Sequence, residues 1–141
     1  MSFHALIRIA VLAPFIGEGG GIEMDGKGTM LATEASLLNP NRNPGMGKAT
    51  IERHFAYCFG VRKTIWIPGR RGYDITDDHI DALARFSSRP GVVLLSRPFV
   101  PDGANAVEVG EIMGGYMEAK EIIERALDAE GRRLTTVAGS L

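Results

Sequence analysis

The chain has 141 residues, enough for one hydrophobic core, and its 45% hydrophobic and 23% charged content is that of an ordinary globular domain. A formal net charge of −1 leaves neither sign dominant, which gives no case for nucleic acid or an anionic membrane as partner. No apolar run reaches the length of a membrane span, and a lone cysteine, Cys58, excludes an internal disulfide and fits a reducing cytosol, so the expected location is cytoplasmic.

Residues 5–15 are apolar almost throughout and rich in Ile, Val and Leu, which predicts a buried strand. Arg8 within the run and the lack of a small-residue cleavage site argue against a signal peptide. In the glycine-rich stretch that follows, Ile22 and Met24 alternate with Glu23 and Asp25. That pattern predicts a short strand pairing across a turn at Asp25-Gly26 with residues 29–33. Asn39-Pro40-Asn41-Arg42-Asn43-Pro44-Gly45 is turn chemistry without periodicity, hence a loop. Residues 48–59 place Ile51, Phe55 and Phe59 on one face before Gly60, an amphipathic helix with a glycine stop; Cys58 is expected in the core and His54 toward solvent. Residues 64–67 read as a strand ending at Pro68-Gly69.

The most chemically loaded stretch comes next. Asp74-Ile75-Thr76-Asp77-Asp78-His79-Ile80-Asp81 packs four acids and a histidine into eight positions. On an extended segment residues two apart share a face, so His79 and Asp81 are expected side by side, a base beside an anion, with Ile80 turned to the core. The competing reading is an acidic turn with a solvated histidine. Residues 80–86 and 92–96 predict a hairpin, 98–105 a loop, and 107–129 a long helix with Ile112, Tyr116, Ala119, Ile123 and Ala126 on one stripe, weakened at Gly114-Gly115. Residues 134–138 form a last strand. The order amounts to two β-β-α-β units without residue-level identity between them.

Several motifs fail on inspection. Gly21 to Lys27 mimics a phosphate loop, but Gly28 stands where the magnesium-binding hydroxyl belongs, and Glu23 and Asp25 would repel phosphate. Asp74-x-Thr76-x-Asp78 lacks the glycine and bidentate glutamate of a calcium loop. His4, His54 and His79 show no zinc spacing.

Glu18-Gly19-Gly20-Gly21-Ile22-Glu23-Met24-Asp25-Gly26-Lys27-Gly28-Thr29, Thr33-Glu34, Leu38-Asn39-Pro40-Asn41-Arg42-Asn43-Pro44, Ile65-Trp66-Ile67-Pro68, Thr76-Asp77-Asp78-His79-Ile80-Asp81 and Pro90-Gly91-Val92-Val93-Leu94-Leu95 together resemble, in order and spacing, the agmatine deiminase family of the bacterial peptidylarginine-deiminase type. The resemblance is close over residues 16–97 and looser at 129–134. It implies an α/β fold, about two ββαβ modules of a five-fold pseudo-symmetric α/β propeller (pentein-like), so that 1–141 is a single partial domain.

The chemistry implied is hydrolysis of a guanidino C–N bond, agmatine giving N-carbamoylputrescine and ammonia, with no cofactor and no metal. A cysteine thiolate attacks the guanidine carbon, a histidine shuttles protons, and carboxylates hold the planar cation. By motif position His79 is the general acid/base and Glu18 the carboxylate that orients it. Asp81 and Asp77 are the expected guanidinium ligands. The implied partner is a guanidino small molecule, with a second copy or a complementing chain for assembly.

The departures are specific. Asp78 stands where the family more often has glycine, and Arg70-Arg71-Gly72 replaces the usual approach to the loop. The Gly-rich His-Cys motif and the Trp-x-x-Asp motif of the family have no counterpart here, so the chain is expected to be a middle piece whose missing parts come from elsewhere. The alternatives are a catalytically incomplete binding or assembly domain of the same fold, or a peptidyl-arginine deiminase.

Overall fold

The computed structural model describes residues 12–139. β1 (Ile22–Met24) and β2 (Thr29–Thr33) form the expected hairpin. Asp25 organises its turn, Oδ1 accepting from the Lys27 N–H at 2.7 Å and the Thr29 N–H at 2.9 Å. A four-residue helix, α1 (Glu34–Leu37), leads to the asparagine-rich loop and then to α2 (Lys48–Phe59), which stops at Gly60 in the left-handed region, φ 69°. β3 (Lys63–Ile67) returns parallel to β2, completing a sheet of order β1-β2-β3.

The second unit repeats this path. β4 (Ala84–Phe86) and β5 (Val92–Ser96) pair antiparallel, α3 (Ala106–Arg125) crosses over, and β6 (Thr135–Gly139) pairs parallel to β5. The registers correspond residue for residue. Leu31 lies opposite Glu23 and Ile65 in the first sheet, as Leu94 lies opposite Arg85 and Val137 in the second. Strand alternation then decides the packing. Met30 and Ala32 face α2 with Ile51 and Phe55 in one cluster. Leu31, Ile65 and Ile67 join Val93, Leu95, Tyr116, Ala119 and Ile123 in the other. α3 therefore covers its own sheet on one side and the far face of the first sheet on the other, which is what joins the two units.

Several expectations change. Of the strand expected at 5–15, residues 12–15 are not in a strand, and the rest lies outside the described residues. Only Ala84–Phe86 of the strand expected at 80–86 is extended, because Ile80–Ala82 closes into a 3-10 turn that drives Ile80 into the core. α3 ends at Arg125, four residues early. Asp128 starts a tight turn there, accepting from the Glu130 and Arg132 N–H groups at 2.9 and 2.8 Å. Gly114 and Gly115 leave that helix unbroken, its start being fixed by an Asn105–Glu108 capping box. Cys58 is exposed, not core, because the buried stripe of α2 is only Ile51 and Phe55, and even Phe59 is 44% exposed. His54 is half-buried and stacks on Phe15 with ring centroids 6.0 Å apart.

Candidate active site

The site begins with glycine. Gly19–Gly21 forms a 3-10 turn closed by the Gly21 N–H on the Glu18 carbonyl at 2.9 Å. Above it stand His79 and Asp81. A Cβ on Gly20 would lie 2.6 Å from His79 Nδ1 and 2.8 Å from Asp81 Oδ2, so both side chains press on bare backbone. The base and the anion do share one side, but not through an extended strand: His79 is the N-cap of the 3-10 turn, and that turn brings Asp81 round beside it.

Glu18 reaches His79 from the opposite direction. Its Oε2 lies 2.7 Å from Nε2. A carboxylate there accepts a proton-bearing Nε2, which leaves Nδ1, over Gly20 beside Asp81, as the basic nitrogen of the neutral ring. Asp81 has one polar partner among the described residues, Arg85 at 3.5 Å, so its carboxylate is open to a cation. These three residues are the ones the structure brings together.

Asp77 is placed differently from its expected role. It does hold a guanidinium, but that of Arg42, whose NH1 lies 2.8 Å from Oδ2. Asn39 donates to the same oxygen at 2.9 Å, and the Gly72 N–H donates to Oδ1 at 2.9 Å. Both oxygens are occupied within the chain. Asp78 likewise pairs with Arg70 at 3.3 Å, and no ion pair with His79 forms among the described residues. Asp77 and Asp78 both adopt left-handed backbone, φ 58° and 66°, a region that glycine enters without strain and Asp tolerates. Thr33, at the end of β2, anchors this bend by donating its hydroxyl to the Asp78 carbonyl at 2.8 Å.

Sequence reasoning missed the loop that assembles the site. Asn43, 2% exposed, accepts from the Ile16 N–H at 2.8 Å and donates to the carbonyls of Ile16 and Leu37, each at 2.9 Å, clamping the chain two residues before Glu18. Arg42 donates Nε–H to Glu18 at 2.8 Å. The loop was one of the segments that carried the family resemblance, but its side-chain amides between Pro40 and Pro44 read equally well as a turn and assigned no role to Arg42 or Asn43.

The carboxylates of this network ionise easily. Glu18 is held below the ordinary carboxyl range by the His79 hydrogen bond first and Arg42 second. Asp77 is lowered by the Gly72 N–H and then by Arg42, and Asp74 by the Thr76 hydroxyl. Groups depressed in the folded state contribute stability that is complete above their unfolded values and lost as pH falls through the folded ones. The thermal midpoint is therefore expected to stay level from pH 7 to about 5 and to drop below about pH 4, and Asp77→Asn is expected to flatten that drop. A melting series in which Asp77→Asn and wild type fall in parallel would remove this network from the acid sensitivity.

Among the described residues no helix is long and apolar enough to cross a membrane, and no group of three or more His, Cys, Asp and Glu side chains is placed to hold a metal ion. The arrangement can take and return a proton at Nδ1 and hold a small cation against Asp81.

Comparison with known proteins gives one answer. The model of the Porphyromonas-type peptidyl-arginine deiminase family matches residues 3–138. Agmatine deiminase of Pseudomonas aeruginosa is 38% identical over 120 residues, covering 85% of this chain and 30% of that protein. Agmatine deiminase of Medicago truncatula is 51% identical over 80 residues, covering 56% of this chain and 21% of that protein. Agmatine deiminase of Enterococcus faecalis superposes with a TM-score of 0.70 at 30% identity, over 85% of this chain and 31% of that one. The chain spans about a third of the length of the curated relatives it matches.

Proposed function

The chain belongs to the Porphyromonas-type peptidyl-arginine deiminase family, and we propose that it carries the proton-transfer and cation-holding side of a site that hydrolyses a guanidino C–N bond, with agmatine as substrate. The observation that carries this reading is the convergence of His79 Nδ1 and Asp81 Oδ2 over Gly20, with Glu18 behind the imidazole. A planar guanidinium laid on Asp81 brings its nitrogens to the basic nitrogen of His79. In the reaction a cysteine thiol passes its proton to His79 Nδ1 and the resulting thiolate adds to the guanidinium carbon. His79 delivers a proton to the departing nitrogen, the C–N bond breaks, and ammonia leaves. His79 then takes one proton from the attacking water and the other goes to solvent as the C–S bond breaks, which releases the neutral ureido product and restores the thiolate. Glu18 fixes the tautomer and stabilises the imidazolium. Cys58, on the exposed side of α2, is not the thiol in this reading; the thiol comes from residues beyond these 141, on the same or a complementing polypeptide.

The pentein-like five-fold α/β propeller fits the repeat. α3 covers Leu31 and Ile65 of the first sheet, and their register equivalents in the second, Leu94 and the 51% exposed Val137, form the seat for a further module's helix. A cytoplasmic setting suits the exposed free thiol.

Calorimetric titration with agmatine and with putrescine, which lacks the guanidinium, tests the reading. Agmatine is expected to bind, putrescine to bind at least about tenfold more weakly, and Asp81→Asn to remove the difference by deleting the paired charge. Equal binding of the two amines would overturn it. Benzoyl-arginine amide binding above agmatine would move the substrate to peptidyl-arginine.

A further inference from the structure

We infer that Arg42 is the positioning residue of this site: its guanidinium holds the Glu18 carboxylate against His79 and ties it to the turn that delivers His79. The inference rests on the proposed role of His79 as the proton-transfer group. Arg42 lies 24 positions from Glu18 and 35 from Asp77, so neither contact is local. All three of its nitrogens are engaged. Nε donates to Glu18 Oε2 at 2.8 Å, NH1 to Asp77 Oδ2 at 2.8 Å and to Asn41 Oδ1 at 3.3 Å, and NH2 to the Thr76 carbonyl at 3.2 Å. The side chain is only 9% exposed, whereas Glu18 is 46% exposed. A half-exposed glutamate has several side-chain torsions to order before it can orient an imidazole; the arginine fork removes that freedom. The atoms nearest the space over Gly20 are those of His79 and Asp81, so Arg42 acts through Glu18.

The partners also explain why arginine is needed. Glu18 enters from the glycine turn of the first unit, and Asp77 and Thr76 from the bend before the second. One planar fork spans both, while a lysine ammonium is a point charge that satisfies one side and releases the other. Asp77 is itself fixed by Asn39 and Gly72, so it serves as the anchor and Glu18 as the aimed group. Burial opposes the charge on Arg42, but Asp77 first and then Glu18 raise its pKa above the ordinary value, so it stays a cation throughout the working range.

The test is carbon-13 NMR of the Glu18 carboxyl in the 141-residue chain, across pH, in wild type, Arg42→Lys and Arg42→Ala. Lysine is the variant that keeps the charge if alanine fails to fold. In the folded variants the Glu18 midpoint is expected to move up toward an ordinary glutamate, further for alanine than for lysine. Free guanidinium ion at millimolar concentration is expected to reverse part of the shift in Arg42→Ala and none of it in wild type. A packing role would not produce that rescue. A Glu18 midpoint unmoved in every folded Arg42 variant overturns the inference. The readout needs no agmatine, so a chain that shows the Glu18 shift but does not prefer agmatine to putrescine supports Arg42 and sinks the proposed function. The reverse pattern sinks Arg42 alone.

Discussion

His79→Ala is expected to lower agmatine turnover by about 100- to 10,000-fold, the range that general acid–base catalysis supplies. The setting for the measurement is a chimera in which this chain replaces the matched third of the Pseudomonas aeruginosa agmatine deiminase, so that the remainder of the site is present. Ammonia release is the readout. Both halves of the proposed reaction pass a proton through Nδ1, and His79 is the side chain that meets Asp81 over Gly20. Substrate affinity should change far less than kcat, because Asp81 remains to hold the cation. Glu18 should stay in place on Arg42 at 2.8 Å, which keeps the loss attributable to the imidazole. A folded His79→Ala chimera within tenfold of its parent in turnover would show that another group transfers the proton.

Gly20→Ala is expected to cost about 100-fold in kcat/KM while leaving the fold intact, since displacement of reacting groups by about an ångström is enough for that. The added methyl would sit 2.6 Å from His79 Nδ1, 2.8 Å from Asp81 Oδ2 and 3.0 Å from its Cγ, and one or both side chains must retreat. Gly20 is not among the glycines with positive φ, so alanine brings no backbone strain there and the steric effect is isolated. Gly19→Ala is the matched control. Nothing lies within 4 Å of its added carbon, and its φ is also not positive, so it should behave as wild type. Near-equal kinetics for the two alanine variants would mean that the space over Gly20 is not where the chemistry happens.

Much of this architecture was legible in one dimension, because it is set by local physics. The Asp25-Gly26 hairpin follows from a side chain capping its own turn. α2 follows from apolar spacing and a left-handed glycine stop, and α3 from spacing, its Asn105–Glu108 cap emerging only in the structure. The β-β-α-β repeat was visible as spacing alone; the matching register of Leu31 and Leu94 needed the paired strands. Errors clustered where tertiary packing outweighs periodicity, as at Cys58, whose place on α2 depends on how narrow the buried face turns out to be.

The site divides along the same line. Sequence by itself singled out the candidates: Glu18 before a glycine run, and His79 and Asp81 two apart in an acidic bend. It could not carry the geometry that makes them a unit. His79 and Asp81 converge through a 3-10 turn over Gly20, some sixty positions upstream, and the Glu18–His79 hydrogen bond spans 61 positions. Nor could it tell which carboxylate is engaged by the protein's own Arg42 and which is not. Asp77 and Asp81 are the same residue type in the same bend, and only a long-range partner separates them. Arg42 engages Asp77 from 35 positions away and leaves Asp81 open to a cation. Spacing along a chain encodes which face a residue takes on its own element; which other element meets that face is decided when the two units pack around α3.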